Sequence, residues 1–359
     1  MTENGKLEKS VELIRELSVA FGPSGYENTV RDIIKEKVKG KADEILTDRL
    51  GNLICKMSFG TQTENKKKIM VSAHMDEVGF MINRINSEGF AEFGCVGGIN
   101  PSVLAGRKVV VMSECKKLNG VICSLAIHHK DQEDRGKPTP IEKMHVDFGF
   151  ETKEQAEEYV KIGDLGTFDS EFYRFGKNGC MIKGKALDDR MGCAAMLEIM
   201  EELSQNRPNV SADVYFCFTV REEIGYSGAA AAATFVKPDI AFVLESTAIG
   251  DIPDTEPHRR VADVGKGGVI SIADRSTIYD RDTVDAVMTV AKERGVKAQI
   301  KRYVSGGNDA GHIHKAIDGI RVIAISVPTR YLHSPACVAN LDDYVSVCEL
   351  VKNIMFEIN

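Results

Sequence analysis

The stretch Ala212–Gly225 (Ala-Asp-Val-Tyr-Phe-Cys-Phe-Thr-Val-Arg-Glu-Glu-Ile-Gly) constrains the fold more than any other part of the chain. Val214, Phe216, Phe218 and Val220 alternate with Tyr215, Cys217 and Thr219, the pattern of a strand covered on both faces in an α/β sheet. Such a strand carries Glu222 and Glu223 to its carboxyl end, the edge outside which open α/β sheets bind ligands. Neighbouring side chains on extended backbone point in different directions, so the two glutamates are expected to serve one site from two angles. Taken alone, a charged pair at a strand end is ordinarily a solvated turn, and its meaning depends on what else reaches the same edge.

The rest of the chain supplies that edge. Leu7 to Phe21 reads as an amphipathic helix, and a second helix, Glu27 to Lys39, is expected to open on a capping box between Ser24 and Glu27. A hairpin-like unit (Glu44 to Asp48, Leu53 to Met57) precedes the strand Lys68 to Ala73, which ends in His74-Met-Asp76. From Val78 to Gly176 the texture changes to short β-like runs broken by glycines, with one acidic helix over Thr152 to Lys161; this spacing suits a small inserted β-barrel or sandwich. Strand and helix alternation then resumes: a helix from Met191 to Leu203, the strand ending at Glu222-Glu223, the strand Asp239 to Leu244 ending in Glu245, a strand over Lys297 to Tyr303, and a closing helix from Asn340 to Ile358. The expected architecture is α/β, with a mixed, largely parallel sheet covered by helices on both faces. Residues 1–77 and 177–359 form one domain, and 78–176 form a β-rich insertion.

A chain of 359 residues is long enough for two such domains. Its net charge of -7 gives no general attraction to nucleic acid or anionic membranes, neither of which is an expected partner. No apolar run approaches a span of about 20 residues, and the first residues lack a signal peptide's apolar stretch, so a cytoplasmic location is expected. Nine scattered cysteines without a close Cys-x-x-Cys pair argue against a disulfide framework or zinc ribbon, and Cys55, Cys123 and Cys217 read as small core residues.

Polar residues recur at equivalent places, each just past an apolar strand or in the loop after it: His74 with Asp76, Asp188 with Asp189, Glu222 with Glu223, Glu245, and His333. Separately, each is ordinary. Converging on one sheet edge, they would repel or suffer a heavy desolvation cost unless cations sat among them. Two histidines with three carboxylates and no thiolate suit a hydrolytic Zn, Co or Mn site better than a structural zinc. Two divalent ions against the carboxylates of Asp188, Glu223 and Glu245 leave one positive charge, which a shared hydroxide balances. His128, His129, His145 and His258 read as surface residues; His312 and His314, beside Gly-Asn-Asp-Ala-Gly, are candidates to line the pocket.

The strings Ser72-Ala-His-Met-Asp-Glu-Val-Gly79, Ala186-Leu-Asp-Asp-Arg-Met-Gly192, Val220-Arg-Glu-Glu-Ile-Gly225, Gly306-Gly-Asn-Asp-Ala-Gly311 and Arg330-Tyr-Leu-His-Ser-Pro335, in this order, resemble the M42 family of dinuclear metallo-aminopeptidases, which includes glutamyl and tetrahedral (TET) aminopeptidases. The resemblance implies a zinc-peptidase-like catalytic domain with a PDZ-like insertion. It implies two divalent ions per subunit: His74, Asp188 and Glu245 on one, Asp188, Glu223 and His333 on the other, with Asp188 bridging. Glu222 would be the general base and acid on a water shared by the ions, Asp76 would orient His74, and the Asp188-Asp189 peptide would be strained. The reaction implied is removal of N-terminal residues from short peptides, by a homo-oligomer in which segment 78–176 makes dimers and dimers build a dodecamer. Glu245 stands where the family more often has Asp, and Asn308 where Thr is usual.

Two rival functions come from other classes. Paired glutamates also hydrolyse glycosides, and relatives of this family have been labelled cellulases; yet the chain has no tryptophan for a sugar platform, and glycosidase carboxylates need no histidines beside them. A non-catalytic metal-binding scaffold would be favoured by loss of a ligand or base, and only the two conservative departures are present.

Overall fold

The computed structural model describes residues 3–61, 66–114 and 116–358. Helices α1 (Glu3–Val19) and α2 (Asn28–Val38) lead into strands β1 (Glu44–Thr47), β2 (Leu53–Phe59) and β3 (Lys67–His74). Six further strands follow: β4 (Gly79–Ile85), β5 (Ala91–Val96), β6 (Lys108–Ser113), β7 (Lys116–Cys123), β8 (His145–Asp147) and β9 (Leu165–Phe168), with α3 (Lys153–Glu157) between the last two. The chain returns through β10 (Tyr173–Phe175), β11 (Met181–Gly184), α4 (Leu187–Gln205), β12 (Ala212–Thr219), α5 (Ser227–Val236) and β13 (Ile240–Ala248). It ends with β14 (Gly268–Ile270), α6 (Arg281–Glu293), β15 (Ala298–Ile300), α7 (Ala310–Ile313), β16 (Arg321–Arg330), β17 (Cys337–Asn340) and α8 (Leu341–Ile354).

The main sheet runs β1-β2-β12-β3-β13-β16-β17-β11-β10, with β14 and β15 attached at β16. Its centre is parallel, β12 with β3, β3 with β13 and β13 with β16, while its flanks are antiparallel. Parallel neighbours require crossovers, and α4 and α5 both pack on β3. From Ile69 to His74 every residue of β3 is buried, whichever way its side chain points, so both faces of the strand are covered. Because the central strands run the same way, they bring their carboxyl ends, and the acids after them, to one edge. Strands β4 to β9 close into a separate barrel, β4-β5-β8-β7-β6-β9, filled by its own cluster including Phe80, Ile82, Val109, Val111 and Val146.

Several local expectations differ. The capping box at α2 does not form: Glu27 is the N-cap without a side-chain bond, its carboxylate instead accepts the Gly25 N–H at 2.7 Å, and the Ser24 hydroxyl donates to Asp76 at 2.5 Å. Tertiary demand for a donor at Asp76 outcompetes the local motif. The acidic helix shrinks to α3, capped by Thr152, and the strand expected over Lys297 to Tyr303 contracts to β15. Within α4, Asp188 and Asp189 depart from helical φ/ψ, so the regular turns begin only after them, close to the expected start at Met191. Strands β8 and β9 are too short for their alternation to show in the sequence. The described cysteines are free, Cys55, Cys193, Cys217, Cys337 and Cys348 buried and Cys123 half-buried; Cys115 lies outside the described residues.

Candidate metal centre

His74 is the last residue of β3 and pairs in parallel register with Thr219, the last of β12. Two residues on, Asp76 is completely buried, and its carboxylate accepts the Ser24 hydroxyl and the backbone N–H groups of Glu222 (3.0 Å) and Glu223 (3.2 Å). Arg221 turns the chain with a φ of +59°, and Glu222 and Glu223 occupy the turn that follows. The glutamates therefore diverge because of a turn pinned by Asp76, not because they alternate along extended backbone.

The side chains converge around Asp188. His74 Nε2 lies 3.3 Å from Asp188 Oδ1 and 3.8 Å from Glu245 Oε2. On the other side, His333 Nε2 lies 3.6 Å from Asp188 Oδ2 and 3.2 Å from Glu223 Oε2. Each imidazole is oriented through its other nitrogen. His333 Nδ1 donates to the Gly98 carbonyl at 2.7 Å, a contact from the loop after β5, and His74 Nδ1 faces the Asp76 carbonyl at 3.1 Å and its carboxylate at 3.5 Å. Both rings thus turn Nε2 inward, the orientation that metal-ligating histidines use. The Asp188-Asp189 peptide is cis.

The donors fit divalent cations. Ligand atoms of His74, Asp189 and Glu245, and of His74, Asp188 and Glu223, lie within 4.8 Å of one another in each group. Buried oxygens Glu245 Oε1 and Asp189 Oδ2 have no hydrogen-bond partner in the protein, a cost that a cation among them would relieve. Asp189 is not among the ligands expected from the sequence, and its other oxygen accepts the Gly192 N–H at 3.0 Å. Burial pushes Glu222, Glu223, Glu245 and Asp189 above the ordinary carboxylate range. It opposes ionisation of Asp188 too, but the hydrogen bonds and charges of His333 and His74 outweigh it and hold this residue down to about 2. Burial likewise disfavours the charged form of His333, yet Asp188 and Glu223 raise it to about 11. Among these carboxylates it is the two imidazoles that are drawn towards carrying the offsetting positive charge.

A cavity of about 470 Å³ opens over the cluster, lined among others by Asp188, Glu222, Glu223, Glu245, His333 and Lys301. His74 lies beneath its floor, 1% exposed. Neither His312 nor His314 lines it: His312 stacks on Tyr226, a lining residue, at 4.6 Å, and His314 faces the Ile320 carbonyl. Of the histidines read as surface residues, His128, His129 and His258 are exposed, whereas His145 is half-buried in β8.

Buried carboxylates and inward-turned imidazoles at the carboxyl edge of a mixed sheet define a metal-dependent hydrolase. Comparison with known proteins sharpens the class. The family described as M42 glutamyl aminopeptidase matches residues 51–350, and the chain belongs to this family of metal-dependent aminopeptidases. It is 29% identical to the lysyl aminopeptidase of Pyrococcus furiosus, covering 97% of each chain, and 29% identical to the glutamyl aminopeptidase of Lactococcus lactis, covering 96% of each. Among solved structures it resembles a TET aminopeptidase from a marine sediment thaumarchaeote (TM-score 0.93, 34% identity, 99% of this chain and 98% of that one). It also resembles the TET1 peptidase of Pyrococcus horikoshii, which assembles into a tetrahedron or a large octahedral shell (TM-score 0.85, 34% identity, 97% and 100%). A Thermotoga maritima structure described as an endoglucanase is similar as well (TM-score 0.76, 35% identity, 96% of each). Among the described residues, no helix is long and apolar enough to cross a membrane.

Proposed function

We propose that the protein is a dinuclear aminopeptidase that removes N-terminal residues from short peptides, with Glu222 as its general base and acid. The observation that carries the reading is the placement of Asp188 between the two imidazoles, one carboxylate oxygen towards His74, which also faces Glu245, and the other towards His333, which also faces Glu223. In this reading His74, Asp188 and Glu245 hold one divalent ion, and Asp188, Glu223 and His333 hold the second. When bound, the ions polarise the scissile carbonyl and make water acidic enough to attack at neutral pH.

The protein's own groups do the rest. Glu222 lines the cavity at 8% exposure, and the turn fixed by Asp76 presents its carboxylate to the reacting atoms. There it takes the proton of the attacking water and returns it to the leaving amine. Desolvation raises its affinity for the proton, which suits a group that must both accept and release one. The free α-amine of the substrate binds beside the remaining carboxylates, restricting cleavage to the terminal bond.

Residues 1–77 and 177–359 serve as the catalytic domain in this account, and 78–176 as a dimerisation module. The assembly is a homo-oligomer of the dodecameric kind, a reading supported by the shells formed by the Pyrococcus horikoshii relative. The site's two imidazoles favour peptide over glycoside chemistry, despite the endoglucanase description of one relative. The test compares aminoacyl-anilide and soluble cellulose as substrates, before and after chelation. Chelator-sensitive anilide hydrolysis is expected; sugar release with no anilide hydrolysis would reverse the assignment.

A further inference from the structure

The turn that carries Glu222 ends on a side chain with no task assigned to it. Tyr226 lines the cavity together with Glu222, Glu223 and Glu245. Its backbone lies in the left-handed region, at a φ of +61°, which a bulky residue adopts only at a cost. Its N–H donates to the Arg221 carbonyl at 2.9 Å and to the Glu222 carbonyl at 3.2 Å, which anchors the ring to the residues that present the base. Tyr226 is also the N-cap of α5, a position that favours short side chains bearing oxygen, and its side chain caps nothing. Neither the conformation nor the cap is served by a tyrosine, so the reason for one lies in the cavity.

The ring is held on one face by His312, with 4.6 Å between ring centres and the planes 20° apart. At its tip, a Cβ on Gly307 would come within 3.2 Å of the hydroxyl, so this bare glycine in the cavity wall keeps the space beside the phenol open. Among the described residues the hydroxyl makes no hydrogen bond. Burial, and then the charges of Glu222, Glu245, Asp309 and Glu223, push it up to about 12, so it keeps its proton at neutral pH. Of those charges Glu222 acts on it most strongly. Lys301, a cation lining the same cavity, is engaged by the Ser305 carbonyl at 2.7 Å, and the charges acting on it are those of Asp274 and Glu245. The phenol, rather than that ammonium, is the donor beside the base.

We infer that Tyr226 is a catalytic residue, its hydroxyl donating a hydrogen bond to the oxyanion that forms when the scissile carbonyl is attacked. The inference rests on the aminopeptidase reading above. In the first step the water oxygen bonds to the carbonyl carbon, the π pair moves to the carbonyl oxygen, and the water proton passes to Glu222. In the second, that pair re-forms the double bond, the C–N bond breaks, and Glu222 returns the proton to the amine nitrogen. Tyr226 keeps its own proton throughout. A donor fixed in advance bonds a full negative charge much more strongly than a neutral carbonyl, so its effect falls on the transition state.

The experiment uses Tyr226→Phe, which keeps the ring and its stacking on His312 and removes only the hydroxyl. In the metal-loaded oligomer, kcat on the preferred aminoacyl anilide is expected to fall by about 10- to 100-fold while KM changes by less than about twofold. Metal content and the unfolding midpoint should match wild type. The α-aminophosphonic acid corresponding to the preferred residue, a tetrahedral anion, should lose affinity by a similar factor in calorimetric titration, while the free amino acid binds as before. Wild-type kcat in the variant, an unchanged phosphonate affinity, or a loss shared equally by KM and amino-acid binding overturns the inference and leaves the aminopeptidase intact. Wild type that hydrolyses no aminoacyl anilide removes both.

Discussion

The carboxylate of Asp76 accepts the backbone N–H of Glu222 at 3.0 Å, so the segment after β3 sets the position of the turn after β12. The same carboxylate holds Glu223 and Ser24, which makes it the point where three separate segments meet. Replacing it by alanine strands three donors in the interior. Asp76→Ala is expected to lower stability by about 2 to 3 kcal/mol and kcat by about 10- to 100-fold, the second through misplacement of Glu222. Denaturant unfolding and steady-state kinetics on the same preparation check both.

Glu222→Gln keeps the shape of the side chain and removes its basicity. The expected result is a fall in kcat of about 10²- to 10⁴-fold with metal content unchanged, since Glu222 is not among the assigned ligands. Retention of the full rate with metals bound would reject the role of general base.

Beneath the site lies a buried ionic node. Glu77 accepts Lys185 Nζ at 2.6 and 2.8 Å and the Thr167 hydroxyl at 2.8 Å, and it lies 3.3 Å from Arg190, whose guanidinium also donates to the Leu17, Ala20 and Gly22 carbonyls. The node joins α1, the barrel strand β9 and the start of α4. Glu77→Gln would leave two buried cations facing a neutral amide, and it is expected to cost about 3 to 5 kcal/mol, read from the unfolding midpoint.

Asp343, completely buried in the first turn of α8, accepts the Gly265 and Gly267 N–H groups at 2.6 Å each. Burial nonetheless raises it from 3.8 to about 6. Between these values the native state binds a proton that the unfolded state has released, so this residue's contribution to stability declines as pH rises from 4 to 6, by of order 3 kcal/mol. The amide introduced by Asp343→Asn does not titrate. Relative to that variant, wild type should therefore lose stability over the same window, as followed by unfolding at pH 4, 5, 6 and 7.

Much of this was legible in the sequence. The alternation of Val214, Phe216 and Phe218 marks a doubly covered strand because each face meets packing, and β12 lies between β2 and β3 as that pattern requires. The positions His74, Asp188, Glu223, Glu245 and His333 could be read as one group because parallel strands bring their carboxyl ends to one edge. What could not be read depends on contacts distant along the chain. Ser24 has an ideal local capping partner in Glu27 yet serves Asp76, and His333 takes its orientation from Gly98, 235 residues away. Lys301 has no motif at all; only the lateral register from Glu245 through Ser326 and Val269 brings it to the cavity.

The most direct measurement counts metal against activity. Protein stripped by chelation is titrated with zinc, cobalt or manganese while bound metal per subunit and aminoacyl-anilide hydrolysis are read together. The account predicts activity that is absent in the stripped protein and reaches its plateau at two ions per subunit, with His333→Ala and Glu245→Ala each binding fewer. Hydrolysis that persists without metal, or a plateau unaffected by loss of either residue, would contradict it.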